Sequence, residues 1–304
     1  MIIPMRLPIS FLLSVICTTT TASPVQEKKR TVPAATVTAS ALTRYTPDLL
    51  TSDRIDPKFV GANVVALAKT VEQYQTVSKD EFESSDKFSA RQAKARGVKL
   101  TDGSSIDDTF AFVVPVAKLS SFSNGLRYSY DADAATVSLY ILPASHAFNG
   151  IGGPGVGVAL PQIDTLTLKE VIDSDGKYEG SNAYGATVTV EKTRWSEYGL
   201  AMSKIAFVKR PSETYYRTPE PTVRLPMVPA IASIDLPALK AVIVAKLSLP
   251  ELLYDFSSIK PTRDKPQDMI TRKKYLNAEI VSIVFYSGVS GKVLARQPET
   301  VGAD

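Results

Sequence analysis

The chain has 304 residues, a formal net charge of +4, and 44% hydrophobic and 22% charged residues. These values are near globular averages and exclude a disordered, collagen-like or polytopic membrane chain. The small positive excess does not indicate a nucleic-acid partner. Because the chain has one His and one Cys, we expect neither a zinc site nor any other bound cofactor.

Residues 1–22 have the pattern of a secretory signal peptide, with Arg6 as the only charge before an apolar stretch. Thr20 and Ala22 suit the positions that a signal peptidase reads, which predicts cleavage after Ala22 and a periplasmic or secreted mature chain. The alternative is lipidation of Cys17, which would make an outer-membrane lipoprotein. The apolar stretch is too short to span a membrane comfortably, so we expect no transmembrane segment in the mature chain.

Residues 23–51 read as a flexible linker rich in Thr, Ala, Ser and Pro. A helix is predicted over residues 79–96, because Ser78 to Glu81 form a capping-box pattern and Gly97 is a good stop. A shorter helix is predicted over residues 60–75, where apolar residues recur at helical spacing.

From residue 107 onward the pattern is typical of strands. Runs rich in Val, Phe, Tyr and Thr predict strands at 109–117, 136–142, 164–168, 186–193, 200–209, 241–249, 278–287 and 292–296. The last two should form a hairpin through the glycines near residue 290. Without helices between the strands, we expect an α+β fold, predominantly antiparallel, with two β-rich modules after an amino-terminal helical segment.

Five prolines between residues 211 and 229 predict a linker that divides these modules. The expected organisation has five parts after the signal peptide. These are a linker at 23–51, a helical and β-rich domain at 52–210, a Pro-rich linker at 211–229, a small β-rich module at 230–298 and a tail at 299–304.

Candidate binding residues come from the aromatic side chains and the single imidazole. Tyr and Trp combine apolar area with a polar tip, which suits contact surfaces. They cluster in sequence at Tyr178, Tyr184, Trp195 and Tyr198. His146 follows a predicted strand in a loop and is the only histidine available for proton transfer. We expect no catalytic residue among them, and a core role for the aromatic residues remains an alternative.

Two short segments have partial ligand-binding patterns. Asp173, Asp175 and Glu179 have the acidic spacing of part of a calcium loop, although Asp175 and Gly176 equally predict a tight turn. Residues 150–155 are glycine-rich like a dinucleotide fingerprint. The residues that follow cannot continue as a helix, so a glycine turn is the better interpretation.

Three segments carry a resemblance to a family of bacterial exported proteins. Lys79 to Ser84 resembles that family's Lys-x-Glu-Phe-Glu-Thr helix motif. Asn182 to Gly185 resembles its Asn-Ala-aromatic-Gly segment, and the region from Pro261 to Leu294 resembles its carboxy-terminal pattern. The resemblance implies a bacterial envelope protein and carries no functional site with it.

Together these patterns favour a non-catalytic envelope protein that binds a peptide, glycan or protein partner. The alternative is a glycan-directed hydrolase of the periplasm that uses carboxylates, since acidic residues are plentiful where His and Cys are not. A cleft with two facing carboxylates would favour the enzyme. An aromatic face or an open strand edge would favour the binding protein.

Overall fold

A computed structural model describes residues 45–75, 80–96, 104–120, 124–146, 148, 150–151, 162–181, 187–204 and 220–297. These residues lie in one unit, 39–304. The predicted signal peptide, Cys17, most of the predicted linker and the tail at 299–304 lie outside the described residues. The single cysteine excludes an intramolecular disulfide.

Helix α1 (Asp48–Thr51) is one turn long, and helix α2 (Val64–Gln75) lies where the shorter helix was predicted. The apolar residues Val64, Leu67, Ala68 and Val71 are all buried, as their spacing indicates. The Asn63 side-chain oxygen accepts hydrogen bonds from the backbone N–H groups of the next turn, which fixes the start of α2.

Helix α3 (Ser85–Arg96) begins later than the sequence predicts. The capping oxygen belongs to Ser84, whose Oγ accepts from the backbone N–H of Lys87 at 3.3 Å. The Glu83 carboxylate accepts from the N–H of Asp80 and pairs with Arg91. The described part of the predicted capping box is therefore a turn before the helix. Ser78 and Gly97 lie outside the described residues.

The remaining described elements are mainly strands. Their bounds are β1 Thr109–Pro115, β2 Ala117–Lys118, β3 Gly125–Asp131, β4 Thr136–Leu142, β5 Ala144–His146, β6 Gly150–Ile151, β7 Ile163–Ser181, β8 Thr187–Lys204, β9 Val223–Pro226, β10 Leu239–Ile259, β11 Gln267–Ser287 and β12 Val293–Gln297. Helix α4 (Pro229–Asp235) and a 3-10 turn at Leu236–Ala238 precede β10. The protein is therefore mostly β, with few helices.

The strands form two mixed sheets. In the part of the chain that the structure describes, the larger sheet has eight strands. Six of them follow the order β1-β10-β11-β8-β7-β5, while β12 pairs with β11 and β6 pairs with β10. The smaller sheet has the order β2-β3-β4-β9. Strands β11 and β8 pair in parallel, as do β2 and β3. The larger sheet contains strands from both sides of residues 211–229, because β1 pairs with β10 and β8 with β11. That segment therefore does not separate two sheets.

Two long hairpins, β7–β8 and β10–β11, dominate the larger sheet. Strand β8 is continuous and contains the described parts of two predicted strands, 187–193 and 200–204; the prediction at 164–168 covers only the start of β7. Residues 186 and 205–209 of these predictions lie outside the described residues. Asp175 and Gly176 lie inside β7 and pair with β8, so the predicted turn there is wrong. Most side chains in the outer half of β7 are exposed. A strand without a buried face lacks the alternation that sequence reading relies on.

The main core lies between the larger sheet, helix α2 and the smaller sheet. Its members include Leu67 from α2, Leu139 from β4, and Ile243 and Leu276 from the larger sheet, all fully buried. Burying apolar area of this kind is the main stabilising contribution to a β-rich fold. A separate small cluster joins Phe148, Ala201, Leu253 and Tyr275. This small cluster positions the candidate site.

Candidate functional site

A cleft of about 620 Å3 opens beside the base of the two long hairpins. Both sheets contribute to it, with β3 from the smaller sheet and β7, β8 and β11 from the larger one. Its polar lining is formed by Asn124, Arg127, His146, Thr165, Thr167, Lys169, Glu170, Glu197, Lys273 and Tyr275. The volume lies within the range of small-molecule sites in proteins.

A row of charged residues crosses four strands at the edge of this cleft. Glu170 on β7 lies directly opposite Glu197 on β8. On the next strands of the sheet, Lys273 on β11 lies opposite Glu197, and Asp255 on β10 lies opposite Lys273. Directly opposed residues have Cβ atoms about 4.5–5.5 Å apart, and like charges in that arrangement are destabilising. The glutamate pair is thus an unfavourable feature that Lys273 offsets only in part.

His146 is held at one end of the charged row. Its Nε2 lies 2.8 Å from Oδ2 of Asp255, and the Asp255 side chain is almost buried. The imidazole also contacts the edge of the buried Phe148 ring, which in turn packs against Tyr275. A carboxylate and an aromatic ring therefore fix the imidazole in one orientation.

Tyr275 forms part of the cleft wall with its hydroxyl group. The hydroxyl lies 2.7 Å from Oγ1 of Thr167 and donates to Oε2 of Glu197 at 3.2 Å. Since a tyrosine has one hydroxyl proton, Thr167 is the donor in the first contact. Burial raises the pKa of Tyr275 above its ordinary value, and the Glu197 carboxylate adds to this effect. The hydroxyl therefore remains a donor at neutral pH.

Gly199 makes room for the Tyr275 ring. A Cβ atom at this position would lie 2.1 Å from the carbonyl oxygen of Leu166 and 2.7 Å from Cε1 of Tyr275. Both distances are far shorter than van der Waals contact. Only glycine therefore lets the ring lie across β8 and hold its hydroxyl beside Glu197.

Arg127 projects into the cleft from β3. Its Nε is buried and has no hydrogen-bond partner in the described part of the protein, and its Nη1 donates to the backbone carbonyl of Leu126. Burial lowers the pKa of the Arg127 guanidinium. Among the described residues no carboxylate pairs with it. A partly buried cation without a counter-charge is costly to maintain.

The predicted binding residues do not form one surface. Tyr198 is buried in the main core, whereas Tyr178 is exposed on the outer part of β7 and donates weakly to Asp268 at 3.4 Å. Trp195 is partly buried on β8, with Nε1 unpartnered among the described residues. Tyr184 and most of the glycine-rich loop lie outside the described residues. Of the predicted binding residues that the structure describes, only His146 lines the cleft.

The acidic residues proposed for calcium lie along one extended strand. Asp173 accepts a hydrogen bond from Ser196 and lies 3.8 Å from Arg272, while Glu179 accepts from Thr189. Asp175 is paired with Thr193 in the ladder and does not begin a loop. In the part of the chain that the structure describes, no group of three His, Cys, Asp or Glu side chains is arranged to hold a metal ion.

Sequence reading missed most of the cleft. Arg127, Glu170, Glu197, Lys273 and Tyr275 belong to no motif, and four strands distant in sequence bring them together. Glu170 and Glu197 lie between the predicted strands at 164–168, 186–193 and 200–209, in stretches for which the sequence predicts no strand. The residues around Glu170, Lys169 to Asp173, show no regular alternation of polar and apolar side chains that would have extended the predicted strand.

The chain has no match among family models, curated proteins or solved structures. No helix in the described ranges is long and apolar enough to cross a membrane.

Proposed function

We propose that this is an exported, non-catalytic binding protein of the bacterial envelope whose ligand occupies the cleft beside Arg127 and Tyr275. The observation that carries the proposal is the cleft itself, whose wall combines hydroxyl, carboxylate and guanidinium groups from both sheets. A few convergent polar groups in a concave site are typical of ligand recognition. In this proposal the two β-rich modules are the two sheets, predominantly antiparallel, rather than two successive stretches of chain.

Export and the family resemblance are also part of the proposal, and they rest on the sequence. Cleavage after Ala22 would release a mature chain that begins at Ser23. Mass spectrometry of protein from the native envelope tests this step. A chain that begins with a lipid-modified Cys17 would replace the periplasmic location with an outer-membrane anchor.

A glycan-directed hydrolase is the second candidate, because Glu170 and Glu197 both line the cleft. In glycosidases, two carboxyl groups flank the scissile bond. Here both glutamates lie opposite each other on adjacent strands, so they share one wall and extend from the same side of the sheet. This arrangement favours binding over hydrolysis. Release of reducing sugar from oligosaccharides, lost in Glu170→Gln and Glu197→Gln, would reverse that preference.

Two adjacent positions on β5 allow a matched test of the cleft. Ala144 lines it, whereas the exposed Ser145 beside it does not. We expect Ala144→Trp to fill the cleft and to abolish binding of short peptides or oligosaccharides measured by calorimetry. The control Ser145→Trp should bind like the wild type. Equal ligand binding in wild type, Ala144→Trp and Ser145→Trp would contradict the proposal that the cleft is the site.

A further inference from the structure

The geometry points to a zwitterionic ligand in this cleft, namely a short peptide whose free carboxylate meets Arg127 and whose free ammonium group meets Glu170 and Glu197. The inference rests on the proposed binding function and names the class of ligand. It follows from how positive and negative groups are divided within one cavity.

Arg127 is the group suited to an anion. Arg127 lines the cleft, its Nε is buried without a partner in the described structure, and its Nη1 donates to a neutral backbone carbonyl. The adjacent Gly125 has a positive φ of 96°, and a Cβ there would lie 3.5 Å from Nη1 of Arg127. The positive φ favours glycine at position 125, and a Cβ there would be in ordinary contact with the guanidinium. Guanidinium groups bind carboxylates through paired hydrogen bonds, so a ligand carboxylate would satisfy this group.

The glutamate pair is the group suited to a cation. Glu170 and Glu197 oppose each other across β7 and β8, and Lys273 lies opposite Glu197 on the other side. Two carboxylates and one ammonium group leave one negative charge, and the opposed glutamates repel each other. A ligand ammonium group placed between them would remove that repulsion. Tyr275 already donates to Glu197 and keeps its carboxylate in place.

The other charged groups around the cleft do not change this assignment, in which Arg127 meets the ligand carboxylate and the two glutamates meet its ammonium group. Lys169 is exposed, so its ammonium group stays hydrated and is a weak competitor for the ligand carboxylate. His146 is engaged with Asp255, which lies at the β10 end of the row of charged residues. A neutral sugar could form hydrogen bonds with Arg127 and the glutamate pair but would supply no opposite charge to either, whereas a peptide with both termini free supplies both charges.

The test uses trialanine with free termini, N-acetyl-trialanine, trialanine amide and the neutral sugar chitotriose. Calorimetry on the wild type should show that acetylation and amidation each weaken binding at least about tenfold. Arg127→Gln should bind free trialanine about as weakly as the wild type binds the amide, and should no longer discriminate between the two. Likewise, Glu170→Gln should no longer discriminate between free trialanine and N-acetyl-trialanine.

Matched controls separate local from general charge effects. Arg224→Gln on β9 and Glu191→Gln on β8 change exposed residues that do not line the cleft, and both should discriminate like the wild type. Thermal melts show whether each variant folds. Absence of trialanine binding, or equal binding of free and capped peptides, overturns the inference. If chitotriose binds and Ala144→Trp abolishes that binding, the proposed function stands while the zwitterionic ligand does not.

Discussion

Nε2 of His146 and Oδ2 of Asp255 lie 2.8 Å apart, although 109 residues separate them in the chain. The contact joins the short strand β5, where His146 lines the cleft, to the carboxyl-terminal part of β10. Because the Asp255 side chain is almost buried, its oxygens depend on hydrogen-bond partners in the protein to replace the water they lose on folding. The contact of His146 with Asp255 thus helps to hold β5 against β10.

Removing either partner of this pair should lower the free energy of unfolding. We expect His146→Ala and Asp255→Asn to cost about 1–3 kcal/mol each, because the first removes the imidazole from this hydrogen bond and the second replaces its carboxylate oxygen with a neutral amide. The double variant should cost less than the sum of the two single ones. Urea unfolding of the four proteins measures this coupling. Strict additivity would show that the two side chains do not interact in solution.

Gly199 should tolerate no larger residue. Gly199→Ala places a methyl group against the Leu166 carbonyl and the Tyr275 ring, so we expect a loss of about 1–3 kcal/mol or more in unfolding free energy. Gly176→Ala on the neighbouring strand is the control, because a Cβ there meets nothing within 4 Å. Thermal melts of both variants provide the comparison. Equal melting temperatures for the two would contradict the packing described around Tyr275.

Removing the hydroxyl group should have different effects on stability at two buried tyrosines, Tyr275 and Tyr286. Tyr275→Phe loses its contacts with Thr167 and Glu197 and should cost about 1 kcal/mol. Tyr286→Phe removes a buried hydroxyl that has no partner in the described structure, so stability should stay the same or rise. Chemical unfolding of both variants tests the difference. A larger loss in Tyr286→Phe than in Tyr275→Phe would refute it.

Stability should fall at alkaline pH in a way that depends on Tyr286. Burial, and secondarily the charge of Asp56, raises the pKa of Tyr286 to about 12 from 10.0. As pH rises, the Tyr286 hydroxyl therefore loses its proton in the unfolded chain before it does so in the folded protein. The contribution of Tyr286 to the free energy of unfolding is complete below pH 10 and is lost as pH rises toward 12. The slope should reach about 1.4 kcal/mol per pH unit from this group. In Tyr286→Phe that part of the slope should be absent, which unfolding curves between pH 9 and 12 can measure.

The sequence predicts much of the buried structure of this protein and little of its cleft. Helix α2 and strand β4 follow directly from their apolar patterns, and the final β11–β12 hairpin follows from its glycines. The outer part of β7 lacks a buried face, so nothing in its local pattern distinguishes it from a loop. The cleft depends on pairing between β8 and β11, which are separated by more than 60 residues. Local spacing carries no information about such contacts.

The most direct test of the cleft as the binding site is an NMR titration of protein with 13C-labelled tyrosine. Trialanine and chitotriose are added in turn, and the ring signals of Tyr275 in the cleft are compared with those of Tyr286, which does not line it. We predict that the Tyr275 signals shift and saturate with the dissociation constant found by calorimetry, while the Tyr286 signals stay unchanged. Unchanged Tyr275 signals, with shifts instead at the exposed Tyr178 on the outer part of β7, would contradict the cleft as the binding site.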